Sequence, residues 1–298
     1  MGDARVLAAG QHYPAGALYV VATPIGNAAD ITLRALHVLE LADAVACEDT
    51  RNTSALLLRY GLSKPLLAAH AHNEAEAAQR ILARLQAGER IALVSDAGTP
   101  GISDPGARIV DAVRAAGLPV VPLPGASATA AAVAVSGRLL DAGEGAFCFA
   151  GFLPTKAAQR DAALRALRAL PMAFLIYESP HRIGATLGAL AALLPAGCGL
   201  LVCRELTKQF EEIAQLTVEA GPAWLAADAQ RERGEFVLLV EGSGKSAGEQ
   251  AALDVEKLLD ALCKELPASA AARIAASLSG RPRDEMYQGV LARKPQKD

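Results

Sequence analysis

The chain has 298 residues, 52% hydrophobic and 20% charged, and its mean hydropathy is above zero. That balance excludes wholesale disorder and allows a large buried core in one or two domains. A formal charge of −3, from 29 basic and 32 acidic side chains, excludes a uniformly basic nucleic-acid wrapper but leaves room for a local basic face.

Residues 1–11 hold Asp3 and Arg5 but no apolar core of the signal-peptide kind, so no targeting segment is expected there. Short apolar runs at 17–23, 44–48, 66–70, 90–96 and 119–124 then alternate with helical periodicity at 31–42, 53–60, 74–87, 106–116 and 127–135. Such alternation predicts a parallel sheet, and parallel sheets take ligands outside the carboxyl ends of their strands. The polar motifs sit at those ends: Thr23-Pro24-Ile25-Gly26-Asn27, Glu48-Asp49-Thr50-Arg51, Asp96-Ala97-Gly98-Thr99-Pro100 and Pro124-Gly125-Ala126-Ser127. Four in succession predict one site.

Beyond Gly137 the pattern changes, with strands expected at 146–152, 173–179, 200–206, 212–218 and 236–241 and helices near 156–170, 183–194 and 222–233. A linker-like Gly-Ser-Gly-Lys-Ser-Ala-Gly from Gly242 precedes helical patterns at 253–266, 268–278 and 283–291. Two uncharged stretches, 115–137 and 183–203, are long enough to imitate membrane spans. Pro119, Pro122, Pro124 and Gly125 divide the first, and Pro195, Gly197 and Gly199 the second, so neither is expected to cross a membrane. Five scattered cysteines, Cys47, Cys148, Cys198, Cys203 and Cys263, suit a reducing cytoplasm better than a disulfide framework or a zinc site.

Several motifs have plain readings. Gly242 to Ser246 ends like a phosphate-binding loop, but Leu239 stands where the first glycine is required, so a linker is expected. No Gly-x-Gly-x-x-Gly follows the first strand, and His70 and His72 beside Asn73 and Glu74 lack a second ligand cluster, so no metal site is expected. The stretch Ser95 to Gly106 is richer, since its glycines and prolines build an exposed loop whose peptide groups can approach a ligand closely. Asp96 could accept from a ligand amine or hydroxyl, whereas Asp104, ahead of Pro105 and a helix start, reads as an N-cap. Ser127 reads as a cap that can also face a ligand.

Taken together, Val21 to Asn27, Glu48 to Arg51, Ser95 to Gly106, Pro122 to Ala128, Glu178-Ser179-Pro180-His181-Arg182 and Cys203-Arg204-Glu205-Leu206-Thr207-Lys208 closely resemble the tetrapyrrole-methylase-like superfamily, and within it the ribosomal RNA methylating branch. The match preserves motif order from about Leu18 to Glu241. The resemblance implies an α/β fold with a parallel-sheet, Rossmann-like domain over residues 1–125, a mixed-sheet domain over 126–242 that completes a cofactor cleft, and a linker with a small helical appendage over 243–298. It also implies methyl transfer from S-adenosylmethionine to the ribose 2′-hydroxyl of a cytidine in the decoding region of 16S ribosomal RNA, by a cytoplasmic homodimer acting on the RNA or the small subunit.

By the same resemblance the cofactor wall maps to Asp96, Ala97, Gly98, Thr99, Ile102, Ser127 and Ala128, with Tyr177 and Glu178 in a further contact region. Oxygen methylation needs an aligned donor and a group to accept the hydroxyl proton, so Glu48, Asp49, Glu178 and Glu205 are the candidate carboxylates; ion pairs with Arg51, Arg182 or Arg204 explain them as well. Local charge for gripping RNA is expected from Arg51, Arg59, Arg182, Arg204 and Lys208. Arg281, Arg283, Arg293, Lys294 and Lys297, interleaved with Tyr287, give the appendage either phosphate contacts or a packing role. Methylation of a tetrapyrrole or another small molecule, and a noncatalytic ribosome-assembly binder, are the competing readings.

Overall fold

Continuous apolar strands define the first sheet of the computed structural model, which describes residues 6–70, 73–243, 255–279 and 281–293. β1 (Leu18–Val21), β2 (Ala44–Cys47), β3 (Leu66–Ala68), β4 (Ile91–Val94) and β5 (Val120–Leu123) lie in the order β3-β2-β4-β1-β5. Its neighbouring strands pair in parallel, with Leu18 between Ile91 and Val120 and Val21 between Val94 and Leu123.

Strand periodicity divides the core between the two faces of this sheet. Tyr19, Val21, Val45, Cys47, Ala92 and Val94 face α1 (Leu33–Leu41) and α2 (Thr50–Arg59), burying Val38, Leu39 and Leu57. Leu18, Ala44, Ala46, Ile91 and Leu93 face α3 (Glu74–Gln86) and α4 (Ala107–Ala115), burying Ile81, Leu85, Ile109 and Val113. The helices on both faces leave the strand ends as the place where polar residues gather.

The second sheet has the order β6-β7-β10-β8-β9. Its strands are β6 (Phe147–Phe152), β7 (Ala173–Glu178), β8 (Gly199–Arg204), β9 (Glu212–Thr217) and β10 (Phe236–Val240), and β8 pairs antiparallel with β9. This part of the chain also forms the helices α5 (Ala128–Ala134), α6 (Ala157–Arg168), α7 (Ile183–Leu193) and α8 (Gly221–Ala226). None of the described helices is long and apolar enough to cross a membrane.

The chain divides into two compact units. The larger draws on Met1–Gly137, Phe149–Leu153 and Leu175–Leu239, the smaller on Arg138–Cys148, Pro154–Phe174 and Val240–Asp298. Within the smaller, α9 (Val255–Glu265), α10 (Ala268–Ser279) and α11 (Arg283–Leu291) pack around Leu259, Ala272, Ala275, Met286 and Val290. Small alanines let α10 sit close to its neighbours. Arg293 is bound into this bundle, donating to Asp260 at 2.6 Å, to the Gly289 carbonyl at 2.9 Å and to Glu256. Gly280, Lys294 and Lys297 of the expected basic end, His72, and Lys245 and Ser246 of the linker lie outside the described residues.

Three local readings are corrected. Helix α2 starts at Thr50 rather than at residue 53, because the Asp49 carboxylate accepts from the Arg51 amide at 2.8 Å and caps it. The helix expected over 222–233 stops at Ala226, and the Asp228 carboxylate, accepting from Gln230 N at 2.8 Å, starts a separate short turn. Asp104 does not cap α4: Glu74, at the start of α3, accepts from the amides of Gly106 and Arg108 at 2.9 and 3.1 Å. The helix begins with Gly106 as its N-cap, which leaves Asp104 two residues too early for the role.

Candidate functional site

Backbone hydrogen bonds stitch together the loops that leave β1, β4 and β5. Thr23 and Gly98 exchange both amide–carbonyl bonds at 2.9 Å, and the Thr23 hydroxyl donates to the Ser95 carbonyl at 3.0 Å. Ser95 Oγ donates in turn to the Gly98 carbonyl at 3.0 Å. Gly98 has φ +79°, and a Cβ there would lie 3.3 Å from Ile25 Cγ2, so the position favours glycine for both conformation and space. Thr99 Oγ1 donates to the Ala126 carbonyl at 3.0 Å, and a Cβ on Gly125 would stand 2.7 Å from that of Ala22. The sequence Pro124-Gly125 thus lets two loops touch without an intervening side chain.

The other wall comes from later in the chain. At the end of β7 the Tyr177 hydroxyl lies 2.8 Å from Thr129 Oγ1 on α5, and its ring meets Phe149 and Phe152 edge-on at 4.8 and 5.7 Å between centroids. After β8, Glu205 and Thr207 both adopt positive φ, at 51° and 67°. This turn carries Lys208 Nζ to Glu205 Oε1 and Glu235 Oε2, 2.8 Å from each. The same turn touches the first motif: Asn27 N donates to Thr207 Oγ1 at 3.1 Å, and a Cβ on Gly26 would overlap the Lys208 chain.

These segments enclose an open cavity that lies entirely within the larger unit. Ala97, Gly98, Thr99, Ile102, Ser127, Ala128 and Tyr177 line it, as do Glu178 and Lys208. Asp96 does not; its carboxylate receives the Asp49 amide at 3.2 Å and Asn52 Nδ2 at 2.8 Å, holding the start of α2 against the end of β4. Ile25, Ser103, Asp104, Phe152 and the Glu235-Phe236-Val237 entry to β10 also line the cavity and were not singled out by sequence as its wall. Asp104 was legible as an acid in a glycine-rich loop, whereas residues 235–237 carry no motif.

The candidate carboxylates have distinct surroundings. Glu178 is buried, its oxygens accepting from Ser179 N at 2.8 Å and Thr186 Oγ1 at 2.6 Å, with Arg182 Nε 3.2 Å away. Asp49 lies outside the cavity, and the Arg51 guanidinium and amide hold its carboxyl down to about 2. Burial alone would raise Glu205, but hydrogen bonds from Lys208 and the Glu235 amide take it below the usual carboxylate range. Glu48 is half-buried at the end of β2 and is not part of the cavity wall.

Asp104 differs from all of these. Burial, aided by the negative charges of Glu48 and Asp96 and opposed by a hydrogen bond from Ser95, raises its carboxyl to about 6. Cys203, also in the wall, is pushed up to about 12 by burial and the Glu211 charge, so it remains a thiol at neutral pH.

The basic candidates separate too. Arg204 is buried, donating to the carbonyls of Arg233, Phe210 and Gln230 at 2.7, 3.2 and 2.7 Å. Arg182 donates to the Leu153 carbonyl at 2.6 Å as well as flanking Glu178. Both are tied into the fold, as is Lys208. Arg51 differs, with 88% of its side chain exposed even while it touches Asp49.

Residues 17–221 match the family of Tetrapyrrole (Corrin/Porphyrin) Methylases, and residues 249–294 match the RsmI C-terminal HTH domain. Proteins called Ribosomal RNA small subunit methyltransferase I are similar over nearly the whole chain. That of Mesorhizobium japonicum is 47% identical, covering 93% of this chain and 92% of its own; that of Escherichia coli O157:H7 is 45% identical, covering 93% and 95%. The Pseudomonas aeruginosa protein is 43% identical and covers 94% and 98%. Among solved structures, the methyltransferase CobJ aligns with a TM-score of 0.56 at 22% identity, over 76% of this chain and 94% of its own. Uroporphyrin-III-C-methyltransferase from Thermus thermophilus aligns with a TM-score of 0.51 at 22% identity, over 79% and 97%. These two likenesses concern the fold. With the family match spanning most of the chain and the relatives spanning nearly all of it, the chain belongs to the tetrapyrrole methylase family and, within it, to the ribosomal RNA small subunit methyltransferase I group.

Proposed function

We propose that this protein transfers a methyl group from S-adenosylmethionine to the ribose 2′-hydroxyl of a cytidine in the decoding region of 16S ribosomal RNA. The observation that carries the reading is the likeness to small-subunit methyltransferases at 42–47% identity over more than nine-tenths of the chain. The fit of the cofactor rests on the cavity itself. The peptide groups at Ala97 and Thr99, held in place by the Gly98 bonds to Thr23, suit hydrogen bonding to a nucleoside, and Ile102 and Tyr177 supply apolar surface for a base.

When bound, S-adenosylmethionine supplies an electrophilic methyl group on a sulfonium centre. The chain contributes position and electrostatics. The Thr23–Gly98 and Thr99–Ala126 bonds fix the wall before any ligand arrives, which reduces the ordering cost of binding. Phe152, Leu206 and Val237 limit water around the reacting oxygen. The Lys208 ammonium, balanced by Glu205 and Glu235, braces the turn over the cavity with little net positive charge beside a cationic donor.

RNA is gripped from outside the cavity by Arg51 and Arg59, with the carboxyl-terminal helices adding contacts through Arg281, Arg283 and Tyr287. The active form is a homodimer in the cytoplasm, following the family resemblance. The protein, incubated with labelled S-adenosylmethionine and small ribosomal subunits from cells lacking the modification, is expected to yield labelled 2′-O-methylcytidine. Label in a small molecule instead would favour the tetrapyrrole-type reading, and cofactor binding without transfer would favour an assembly binder.

A further inference from the structure

Several polar groups in the cavity wall are engaged within the fold. Glu178 is held by Ser179, Thr186 and Arg182, and the Thr99 hydroxyl donates to the Ala126 carbonyl. The Lys208–Glu235 pair, also in the wall, differs. An ammonium has three protons to donate, and the bonds to Glu205 and Glu235 take two of them. Glu235 is 77% exposed; Lys208 engages its Oε2, and none of the described groups engages its Oε1. The pair therefore offers an N–H donor and a carboxylate acceptor side by side.

Contacts from three segments fix this arrangement. Glu205 Oε1 accepts from Lys208 Nζ at 2.8 Å and from the Glu235 amide at 2.9 Å, while Glu205 N donates to the Glu235 carbonyl at 2.9 Å. Gly234 has φ +95°, and a Cβ there would strike the Glu205 side chain. Thr207 is β-branched yet holds φ +67°, a conformation such residues adopt only at a cost. Its hydroxyl accepts from the Asn27 amide, and the Lys208 stem lies against Gly26. Strain of that kind collects where side chains are held ready for a ligand.

We infer that Glu235, paired with Lys208, determines which base is accepted: Glu235 accepts from the amino group of the target base while Lys208 donates to the ring nitrogen beside it. The inference rests on the methyl-transfer reading above and adds base selection to the same site. A ribose hydroxyl brought to a methyl donor in the cavity carries its base with it, so a pair that reads the base belongs in that cavity's wall. Cytosine carries its N4 amino donor next to the N3 acceptor, which complements the pair. Uracil reverses the order: O4 would face the Glu235 carboxylate and N3–H the Lys208 ammonium, opposing like groups. Adenine presents the same order as cytosine at N6 and N1, so the pair sorts amino bases from keto bases.

The test uses the full chain with small ribosomal subunits, from cells lacking the modification, that carry either cytidine or uridine at the target position. Single-turnover methylation is measured at saturating S-adenosylmethionine, beside calorimetric titration with S-adenosylhomocysteine. The wild-type chain is expected to methylate cytidine about 10- to 100-fold faster than uridine. In Glu235→Gln the amide can donate to uracil O4 while its carbonyl still accepts from cytosine N4, so the preference is expected to shrink to within about threefold. Its affinity for S-adenosylhomocysteine is expected to stay within about twofold of wild type. Equal wild-type rates on the two subunits overturn the inference. So does a Glu235→Gln chain that keeps the wild-type ratio, the behaviour of a residue that only braces the turn. A several-fold loss of S-adenosylhomocysteine affinity in that variant makes Glu235 a cofactor ligand and overturns it too. These three outcomes leave the methyl-transfer reading standing, whereas absence of transfer to either subunit by the wild-type chain overturns both.

Discussion

The Tyr177 and Thr129 hydroxyls meet at 2.8 Å, joining the end of β7 to the first turn of α5, where Ser127 and Ala128 enter the cavity wall. Tyr177→Phe and Thr129→Val are each expected to cost about 1 kcal/mol of stability and to weaken S-adenosylhomocysteine binding several-fold. The double variant should be little worse than either single one, so a double-mutant cycle by denaturant titration measures the coupling.

Two glycines of the same loop separate backbone strain from contact. Gly98 and Gly101 both have positive φ, at 79° and 84°, but only Gly98 would bring a Cβ against Ile25 and face the cavity; a Cβ at Gly101 meets open space. Gly101→Ala is expected to destabilise by about 1 kcal/mol and spare cofactor affinity. Gly98→Ala should destabilise further and reduce affinity at least tenfold, read by thermal unfolding and calorimetry.

Asp104 predicts a pH signature in stability. Its carboxyl titrates at about 6 in the folded protein, against roughly 3.9 in an unfolded chain. Between those values the folded state holds a proton that the unfolded state has released, so this group makes stability fall as pH rises; the penalty is complete above about 6. Asp104→Asn removes it. After allowance for solvent around the carboxylate, the variant is expected to gain about 1 kcal/mol at pH 8 relative to its difference from wild type at pH 4.5. An equal difference at both pH values would remove the titration.

The arginines should differ in kind. Arg204→Ala leaves three carbonyls without their buried donor and is expected to lose about 2–4 kcal/mol of stability. Arg51→Ala should barely change stability; in RNA binding it should weaken affinity and lower the salt slope by about one. Titration at several salt concentrations checks this.

Glu74→Ala deletes the side-chain acceptor for the Gly106 and Arg108 amides, and a loss of about 1–2 kcal/mol is expected by denaturant unfolding.

Strand and helix positions were legible because the driving pattern is local. Leu18, Tyr19, Val20 and Val21 form an apolar run whatever surrounds them, and their alternation onto two cores follows from the pleat. The loop Ser95 to Gly106 was legible from its glycines and prolines as one that exposes its backbone, and Ala97 to Thr99 and Ile102 to Asp104 do line the cavity. The work of single polar residues was not. Glu74 caps a helix that starts 33 residues later, and only the packing of α3 beside α4 brings the two together. Arg204 carries a charge that reads as a surface group, yet it lies buried among carbonyls supplied by 210, 230 and 233. Asp104 resembled a cap because its local sequence suits one; the competing carboxylate is remote in sequence.

The cavity wall at Ala97 and Thr99, on either side of the Gly98 that is bonded to Thr23, has few side-chain features for evolution to alter. Its hydrogen-bonding groups belong to the main chain and follow the path fixed by Thr23, Ser95 and Ala126. An inhibitor that engaged those peptide groups would therefore be hard to escape by point substitution. Resistance would require the loop itself to be rerouted, and such a change would also reshape the cavity proposed to hold the cofactor.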